Sequence, residues 1–499
     1  MFKSLWQKLK EVMHRMGLIK GLKDLSSHRD ISISDEHYNN IEAWKELYKG
    51  YHSKIHDYYR RTIDRGTQKK RRLTLNMPKV ATSELASLIF NEKCEINVGT
   101  ENESLMKLVA ETLEKNNFNQ EFQRFLEYGF ALGGMAIKAY MRNDGAIGLN
   151  FVQADNFVPI SWNNAGITEA VFVDHQFRGK HKYTHLEWHT WEGSLYVVTH
   201  ELFRGDKTSD DVGLKVPITE LYPDLQERVE INNLKGPLFA YFKPNSANNV
   251  DLSSPLGISI YHNSYDTLRA IDIAYDSFER EFRLGRKRIV VPSTAIRTVT
   301  GQDGEFHRYF DATDETYEAF YTGNDAGVQD IKDISVELRV DEHIAAINAL
   351  LNLYSMQLGF SPGAFSFDAQ GGIKTATEVI SENSKTFRTK QSHETIVEAT
   401  LKSLVDIIVN FGDLYGLIDG ESVYETTVSF DDSIAQDRNQ DAQFYVSLVG
   451  AGLMSKKNAI MKLFNLSETD AEAEVLAIQS ENQVANDSSV DLFGLGGDD

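Results

Sequence analysis

Residues 262–285 read HNSYDTLRAIDIAYDSFEREFRLG, and residues 341–359 read DEHIAAINALLNLYSMQLG. In both segments apolar side chains recur every three or four residues, which predicts two amphipathic helices. Gly359, followed by Pro362 and Gly363, predicts the end of the second helix. The apolar stripes consist of Tyr265, Leu268, Ile271, Tyr275, Phe278 and Phe282 in the first segment and of Ile344, Ile347, Leu351, Tyr354 and Leu358 in the second.

The segment between the two helices contains short β-prone runs that are separated by glycines. The runs lie at 288–292, 306–310 and 328–338. Such a pattern predicts a small sheet-containing insertion at the far end of a hairpin of two helices. The separating glycines are Gly301, Gly304, Gly323 and Gly327.

The segment that follows the second helix changes abruptly in character. Residues 360–374 are rich in glycine and have no periodicity, whereas residues 374–385, KTATEVISENSK, begin a long helical pattern that reaches Tyr415. A loop held between two helices is a good candidate for a moving part.

This order of elements, with KTATEV at the start of the long helix, resembles the portal proteins of tailed bacteriophages, in particular the siphovirus-type portals of phages that infect Gram-positive bacteria. The resemblance is most specific over residues 373–390. It implies an α+β portal fold in which the two helices form a stem, the insertion forms a clip, and the loop lines the tunnel of a ring of about twelve subunits. The implied parts are a mixed α/β wing (1–260), stem helix 1 (261–285), the clip (286–339), stem helix 2 (340–359), the tunnel loop (360–374), the long helix with its return to the wing (375–432), a helical crown (433–484) and an acidic flexible tail (485–499).

The resemblance also implies a function and a set of partners. We expect a ring at one capsid vertex that passes double-stranded DNA during packaging and ejection and that docks the terminase large subunit and a head-tail connector protein. Further expected partners are the major capsid and scaffolding proteins. We expect assembly in the host cytoplasm, a final location in the virion, no membrane partner, no enzymatic activity and no cofactor.

Three groups of residues are candidates for these roles. Asp272, Asp276 and Glu279 fall on one side of the first stem helix, so we predict that they line the channel, although such a stack is usually a solvated face. The clip candidates for partner docking are Asp311, Asp314 and Glu315. The tunnel-loop candidates are Phe365, Phe367, Asp368, Gln370 and Lys374, of which Lys374 contacts phosphate or is simply solvated. We expect the apolar stripes of both helices to bury against neighbouring stems.

The composition sets limits on the function. A formal net charge of -21 argues against a protein that grips nucleic acid by neutralising phosphates, but not against a channel that DNA slides through. The single cysteine, Cys94, excludes an intrachain disulfide. No apolar run is long enough to span a membrane. Residues 2–16 alternate apolar and basic side chains, which predicts a helix that docks on a neighbouring subunit or the capsid shell; membrane-surface binding is the alternative.

The first half of the chain gives a coarser prediction. Residues 34–50, 78–90 and 104–128 have helical patterns, and strands dominate from 136 to 203, with a hairpin turn at Glu192-Gly193. Residues 423–430 alternate like a strand and are expected to return to this sheet. The basic cluster at 60–72 is interpreted as a solvated loop, with a patch facing DNA or an acidic partner as the alternative.

The sequence lacks the common local motifs of catalysis and metal binding. The sequence contains no P-loop, no nucleophile elbow and no H-E-x-x-H pair. His185 and His189 are four residues apart on a predicted strand, roughly 13 Å, which is too far to share one ion. We therefore predict that they are sheet-surface or core residues, with metal binding a minor alternative. A hydrolase with an unmarked carboxylate pair is the alternative function.

Overall fold

The computed structural model describes residues 35–62, 66–208, 212–285, 289–290, 297–300, 306–309, 332–333, 337–367, 376–420, 422–431, 438–464, 466 and 470–480. The N-terminal amphipathic segment and the acidic tail lie outside these residues. Among the described helices, none combines the length and the apolar character that a membrane span requires.

The N-terminal part of the described chain begins with a helix and a small hairpin. Helix α1 (Asp35–Tyr48) is followed by a single helical turn (Ser53–His56) and by strands β1 (Asp57–Thr62) and β2 (Gly66–Arg71). The strands pair antiparallel, with Arg60 opposite Gln68. The prediction of a loop for the basic cluster is therefore wrong. Tyrosine and threonine in β1 favour extended backbone, and β2 supplies the partner that closes the ladder.

Three more helices and one strand precede the main sheets. They are α2 (Met77–Ile89), β3 (Glu95–Gly99), α3 (Glu103–Lys115) and α4 (Phe118–Leu132). The single helix predicted over 104–128 is thus two helices, because Asn117 adopts a left-handed backbone with φ of 47°. The amide of the preceding Asn116 donates to the carbonyl of Ile147 at 2.9 Å and accepts the N–H of Leu149 at 3.0 Å. The break therefore supplies hydrogen bonds to an adjacent strand.

Strands dominate the next stretch, as predicted. The strands are β4 (Met135–Met141), β5 (Ile147–Gln153), β6 (Phe157–Asn163), β7 (Gly166–Arg178), β8 (His181–Glu192), β9 (Leu195–Asp206), β10 (Leu214–Val216), β11 (Arg228–Ile231) and β12 (Phe239–Phe242). A three-stranded sheet has the order β12-β4-β5, and a six-stranded sheet has the order β10-β9-β8-β7-β6 with β11 also on β9. Glu192 pairs with Leu195 across the turn of the β8–β9 hairpin, so that hairpin prediction is confirmed.

Two helices flank the insertion. They are α5 (Tyr265–Leu284) and α6 (Val340–Leu358), and the described parts of the insertion are the short strands β13 (Ile289–Val290), β14 (Arg297–Thr300), β15 (Phe306–Tyr309) and β16 (Lys332–Asp333). β13 pairs with β16 and β14 pairs with β15, both antiparallel. Each of the three β-prone runs of the sequence therefore contains a strand.

The chain then enters its longest helix and returns to the N-terminal region. Helix α7 (Ala376–Leu414) has 39 residues, and strand β17 (Glu425–Ser429) follows it. The strand was expected in the sheet of residues 136–203, but it pairs with β3. The predicted return to the first part of the chain is therefore confirmed, but the predicted partner sheet is wrong. The last described helices are α8 (Arg438–Gly450), α9 (Lys456–Phe464) and α10 (470–480).

A single large hydrophobic core runs through the N-terminal helices, both main sheets, α5, α6 and α7. Leu268 and Ile271 of α5 and Ile347 and Leu351 of α6 are among its buried members. We expected these stripes to bury against neighbouring stems. The structure corrects this for these four residues, because they are buried within the same chain, where α5 and α6 pack against each other.

The end of α6 provides a test of backbone strain. Gly359 and Gly363 have φ of 88° and 90°, respectively. A Cβ on Gly359 would lie 2.6 Å from the Thr389 hydroxyl oxygen, whereas a Cβ on Gly363 meets no heavy atom within 4 Å. Both Gly359→Ala and Gly363→Ala incur about 1–2 kcal/mol of left-handed strain, but only Gly359→Ala also displaces Thr389. We expect Gly359→Ala to lower the melting temperature clearly more than Gly363→Ala in thermal unfolding. Equal losses would show that the contact with α7 is not a constraint.

Candidate functional site

The acidic side of α5 is covered by the chain itself. Asp272 and Asp276, predicted to line the channel, retain only 7% and 9% of their accessible surface. The segment 73–75, which follows the β1–β2 hairpin, donates backbone N–H groups to both carboxylates. The channel-lining prediction is therefore wrong for these two residues. Sequence periodicity identified the face of the helix, but it gave no information about what packs on that face.

Asp272 is held by three donors. The N–H of Leu75 donates to Oδ1 at 3.0 Å, and the hydroxyl of Thr74 donates to Oδ2 at 3.0 Å. His56 Nε2 lies 2.9 Å from Oδ2. Because a carboxylate only accepts hydrogen bonds, Nε2 carries a proton and donates to Asp272. The carboxylate thus joins α5 to the single helical turn and to the segment after the hairpin.

Asp276 continues this contact one helical turn further along. It accepts the N–H of Leu73 at 3.2 Å and a hydrogen bond from Arg280, also at 3.2 Å. Residues four apart on a helix are about 6 Å apart along its axis, and two residues of extended chain span roughly 6.6 Å. The two carboxylates therefore match the spacing of alternate amides, and segment 73–75 runs antiparallel along the helix.

Glu279 is the one member of the predicted acidic band that is exposed. It forms an ion pair with Arg283, one turn later, at 3.7 Å. The other exposed charges on α5 are Asp266 and Arg269. Acidic and basic residues therefore alternate on the exposed side of this helix, and they do not add up to a negative band.

The first half of the predicted tunnel loop is anchored to α6. The N–H of Gly363 donates to Asn352 Oδ1 at 2.7 Å, and the N–H of Phe367 donates to Asn348 Oδ1 at 3.0 Å. These two asparagines are four residues apart, so they lie on one face of α6. Sequence reasoning missed them. Two amides within an apolar helix that ends at a Gly-Pro loop were the available signal.

The two phenylalanines of the loop have different surroundings. Phe365 packs on Phe360, with ring centroids 5.0 Å apart, and on Tyr354 at 6.1 Å. Phe367 keeps 56% of its surface exposed. Phe365 therefore holds the loop against the core, and Phe367 is available to a ligand or partner. Asp368, Gln370 and Lys374 lie outside the described residues.

Side chains of helix α7 form hydrogen bonds with the C-terminal end of α6. The hydroxyl of Thr389 donates to the carbonyl of Gly359 at 2.8 Å, and Thr386 accepts the N–H of Ser361 at 2.8 Å. Lys385 donates to the carbonyl of Met356 at 2.7 Å. These bonds satisfy groups that the end of α6 leaves without intrahelical partners. The direction in which the loop leaves α6 is therefore set by α7.

The opposite end of the helix hairpin is closed by an ion pair. Arg339 donates to both carboxylate oxygens of Glu281, through Nε at 3.1 Å and Nη2 at 2.9 Å. These hydrogen bonds lower the pKa of Glu281 to about 2. The pair joins the last turn of α5 to the residue that immediately precedes α6, so it holds the two ends of the insertion close together. Asp311, Asp314 and Glu315 lie outside the described residues.

The sequence profile of the family described as "Phage portal protein, SPP1 Gp6-like" matches residues 27–487. The chain belongs to this family. The match includes both main sheets, α5, α6, the insertion between them and α7, so this portal protein has the α+β portal fold that the resemblance implied. Membership makes it a structural component of phage particles.

Two further comparisons were made for this portal protein. Among solved structures, its fold is similar to a chain of the structure titled "Neck of empty GTA particle computed with C6 symmetry", with a TM-score of 0.40 and 13% sequence identity. That alignment covers 77% of this chain and 88% of the other. No match to the chain was found among curated proteins.

Substitutions on the acidic face of α5 test whether Asp272 stabilises the fold through its buried hydrogen bonds. Asp272→Asn replaces an acceptor of three hydrogen bonds by an amide, which leaves at least one donor unpaired, at a cost of about 1–3 kcal/mol. We expect a lower melting temperature for Asp272→Asn. Glu279→Gln is the control, since changing an exposed i,i+4 pair costs less than about 0.5 kcal/mol. If Asp272→Asn unfolded at the same temperature as wild type, the network would contribute nothing to stability.

Proposed function

We propose that this chain assembles into a ring at one vertex of the capsid, which passes double-stranded DNA during packaging and ejection. The observation that carries the proposal is the family match over residues 27–487. The role is structural, so the alternative of a hydrolase is set aside: nothing in the described residues favours it over the family assignment.

A second apolar stripe on α6 supports assembly into a ring. Leu353 and Met356 are 42% and 53% exposed, and Ala345 and Ala349 are also exposed. These residues are three or four positions apart, so they form one stripe along the helix. The first stripe of α6 is buried within the chain. The second stripe is available to a neighbouring copy, and the small alanines allow close approach of a helix.

The acidic character of the chain supports a channel that does not hold DNA. A net charge of -21 repels phosphate, which prevents the long-lived contacts that clustered basic residues would form. We propose that the loop after α6 reaches the DNA, with Phe367 as the exposed aromatic side chain of its described part and Asp368, Gln370 and Lys374 following. Asp272 and Asp276 have no part in this path, and Glu279 remains a candidate.

The insertion between α5 and α6 is proposed as the docking platform. Its ends are held together by Glu281 and Arg339, so a partner bound to the insertion would transmit force to both helices. We propose that Asp311, Asp314 and Glu315 contact the terminase large subunit during packaging and a head-tail connector protein afterwards. Assembly with the major capsid and scaffolding proteins would take place in the host cytoplasm.

The ring is tested through the exposed stripe of α6. We expect the purified chain to have a mass that is a multiple of the monomer mass, measured by native mass spectrometry. In Leu353→Asp/Met356→Asp, loss of apolar burial weakens each subunit contact by roughly 2 kcal/mol or more, about 30-fold in the dissociation constant, so smaller species should dominate. Leu252→Asp, at a leucine with 90% exposure, is the matched control. Rings from the double variant that are as stable as wild type would contradict this interface.

The loop is tested in rings that still assemble. Phe367→Ser removes the exposed aromatic ring, while the hydrogen bond from its backbone N–H to Asn348 is retained. We expect lower DNA packaging yield or leakage of packaged DNA, measured as nuclease-protected DNA per particle. Phe177→Ser, at 58% exposure in strand β7, is the control and should package normally. Normal packaging by Phe367→Ser would exclude this side chain from the DNA path.

A further inference from the structure

A cluster of three metal-ligand side chains lies on the six-stranded sheet, away from the stem. His185 and Glu187 are on β8, and His200 is on β9 directly opposite Glu187. Residues two apart on one strand, and residues paired across two strands, point to the same face of a sheet. One ligand atom from each of the three side chains lies within 4.8 Å of the others. His189 is too far along the same strand to share an ion with His185, but His200 on the neighbouring strand is close enough.

The two imidazoles are already placed at the separation that a shared ion requires. His185 Nε2 and His200 Nδ1 are 3.1 Å apart. In a tetrahedral zinc site with zinc–nitrogen bonds of about 2.0 Å, two nitrogens are about 3.3 Å apart. A zinc ion would therefore replace the single proton that now joins the two nitrogens, with a small rotation of the rings.

The carboxylate is oriented by a second set of groups. Lys138 donates to Glu187 Oε2 at 2.5 Å, and His189 donates to Oε1 at 2.8 Å. The hydroxyl of Tyr196 lies 2.8 Å from His189 Nδ1 and accepts the N–H of Leu238. This hydroxyl therefore donates to Nδ1, which leaves the proton of His189 on Nε2, facing Glu187. Such outer hydrogen bonds are typical of the carboxylates and histidines that surround metal ions.

The charges around the three groups also suit a cation. Asp174, on β7, lies directly opposite His185 of β8. The carboxylates of Glu187 and Asp174 therefore outnumber the single ammonium of Lys138 around the site.

We propose that His185, Glu187 and His200 bind a divalent transition-metal ion, with zinc as the best match. Two imidazoles and one carboxylate form a known zinc ligand set that leaves the fourth position to water or an outside ligand. Glu187 moves closer to the imidazoles and keeps Lys138 on its other oxygen. The ion would join β8 to β9. His185 and His200 retain 8% and 9% exposure.

The test uses the full-length chain without a polyhistidine tag, treated with a chelator and then titrated with Zn²⁺ by isothermal calorimetry. We expect one equivalent of zinc per chain, a higher melting temperature with zinc, and intense four-coordinate absorption bands when Co²⁺ is used. His200→Asn and His185→Asn should each weaken binding about tenfold or more. These readouts on the wild-type chain test the proposal even if a variant does not fold.

The matched control is His175→Asn. His175 lies on β7 of the same sheet, bonds Thr184 at 3.1 Å, and is outside the cluster. The affinity of the His175→Asn variant for zinc should equal that of the wild-type chain. The proposal is overturned if the wild-type chain binds less than one equivalent, if His200→Asn binds as tightly as wild type, or if His175→Asn loses binding to the same extent.

Discussion

The contact between the carboxylates of α5 and segment 73–75 joins the N-terminal part of this portal protein to its stem. Asp272 and Asp276 accept hydrogen bonds from alternate backbone amides and from His56, Thr74 and Arg280. Buried carboxylates are tolerated only when such donors surround them. The contact therefore specifies where the extended segment lies on the helix, and the β1–β2 hairpin takes its position from that segment. Segment 73–75, the single helical turn and α5 are therefore packed together in this region.

At the end of α6, side chains again form hydrogen bonds with the backbone of a neighbouring segment. Threonines of α7 bond Gly359 and Ser361, and asparagines of α6 bond the loop as far as Phe367. The loop therefore leaves the helix in a direction that is specified as far as Phe367. At the insertion, the Glu281–Arg339 pair similarly fixes the exit and the return of the chain. The two helices thus fix both ends of the insertion and the first part of the loop.

Sequence reasoning succeeded where structure depends on neighbouring residues. The helices of the stem, the long helix α7, the Glu192-Gly193 hairpin and the strand at 425–429 follow from periodicity and turn residues, which are local properties. It failed where distant segments meet. The partner of β17 and the break at Asn116 and Asn117 each depend on hydrogen bonds to distant residues. The hairpin in the basic cluster is a local structure, and its tyrosine and threonine residues were a signal that the loop prediction overlooked.

The sequence by itself determined the order of elements, and through the resemblance of residues 373–390 it determined the family. It also showed that Asp272, Asp276 and Glu279 share one side of a helix. Only the tertiary structure decided that the first two are buried and the third exposed, because burial depends on which distant segment covers that side. In the same way, the spacing of His185 and His189 excluded a shared ion, but only strand pairing brought His200 beside His185. Periodicity specifies a face, whereas long-range packing specifies what that face contacts.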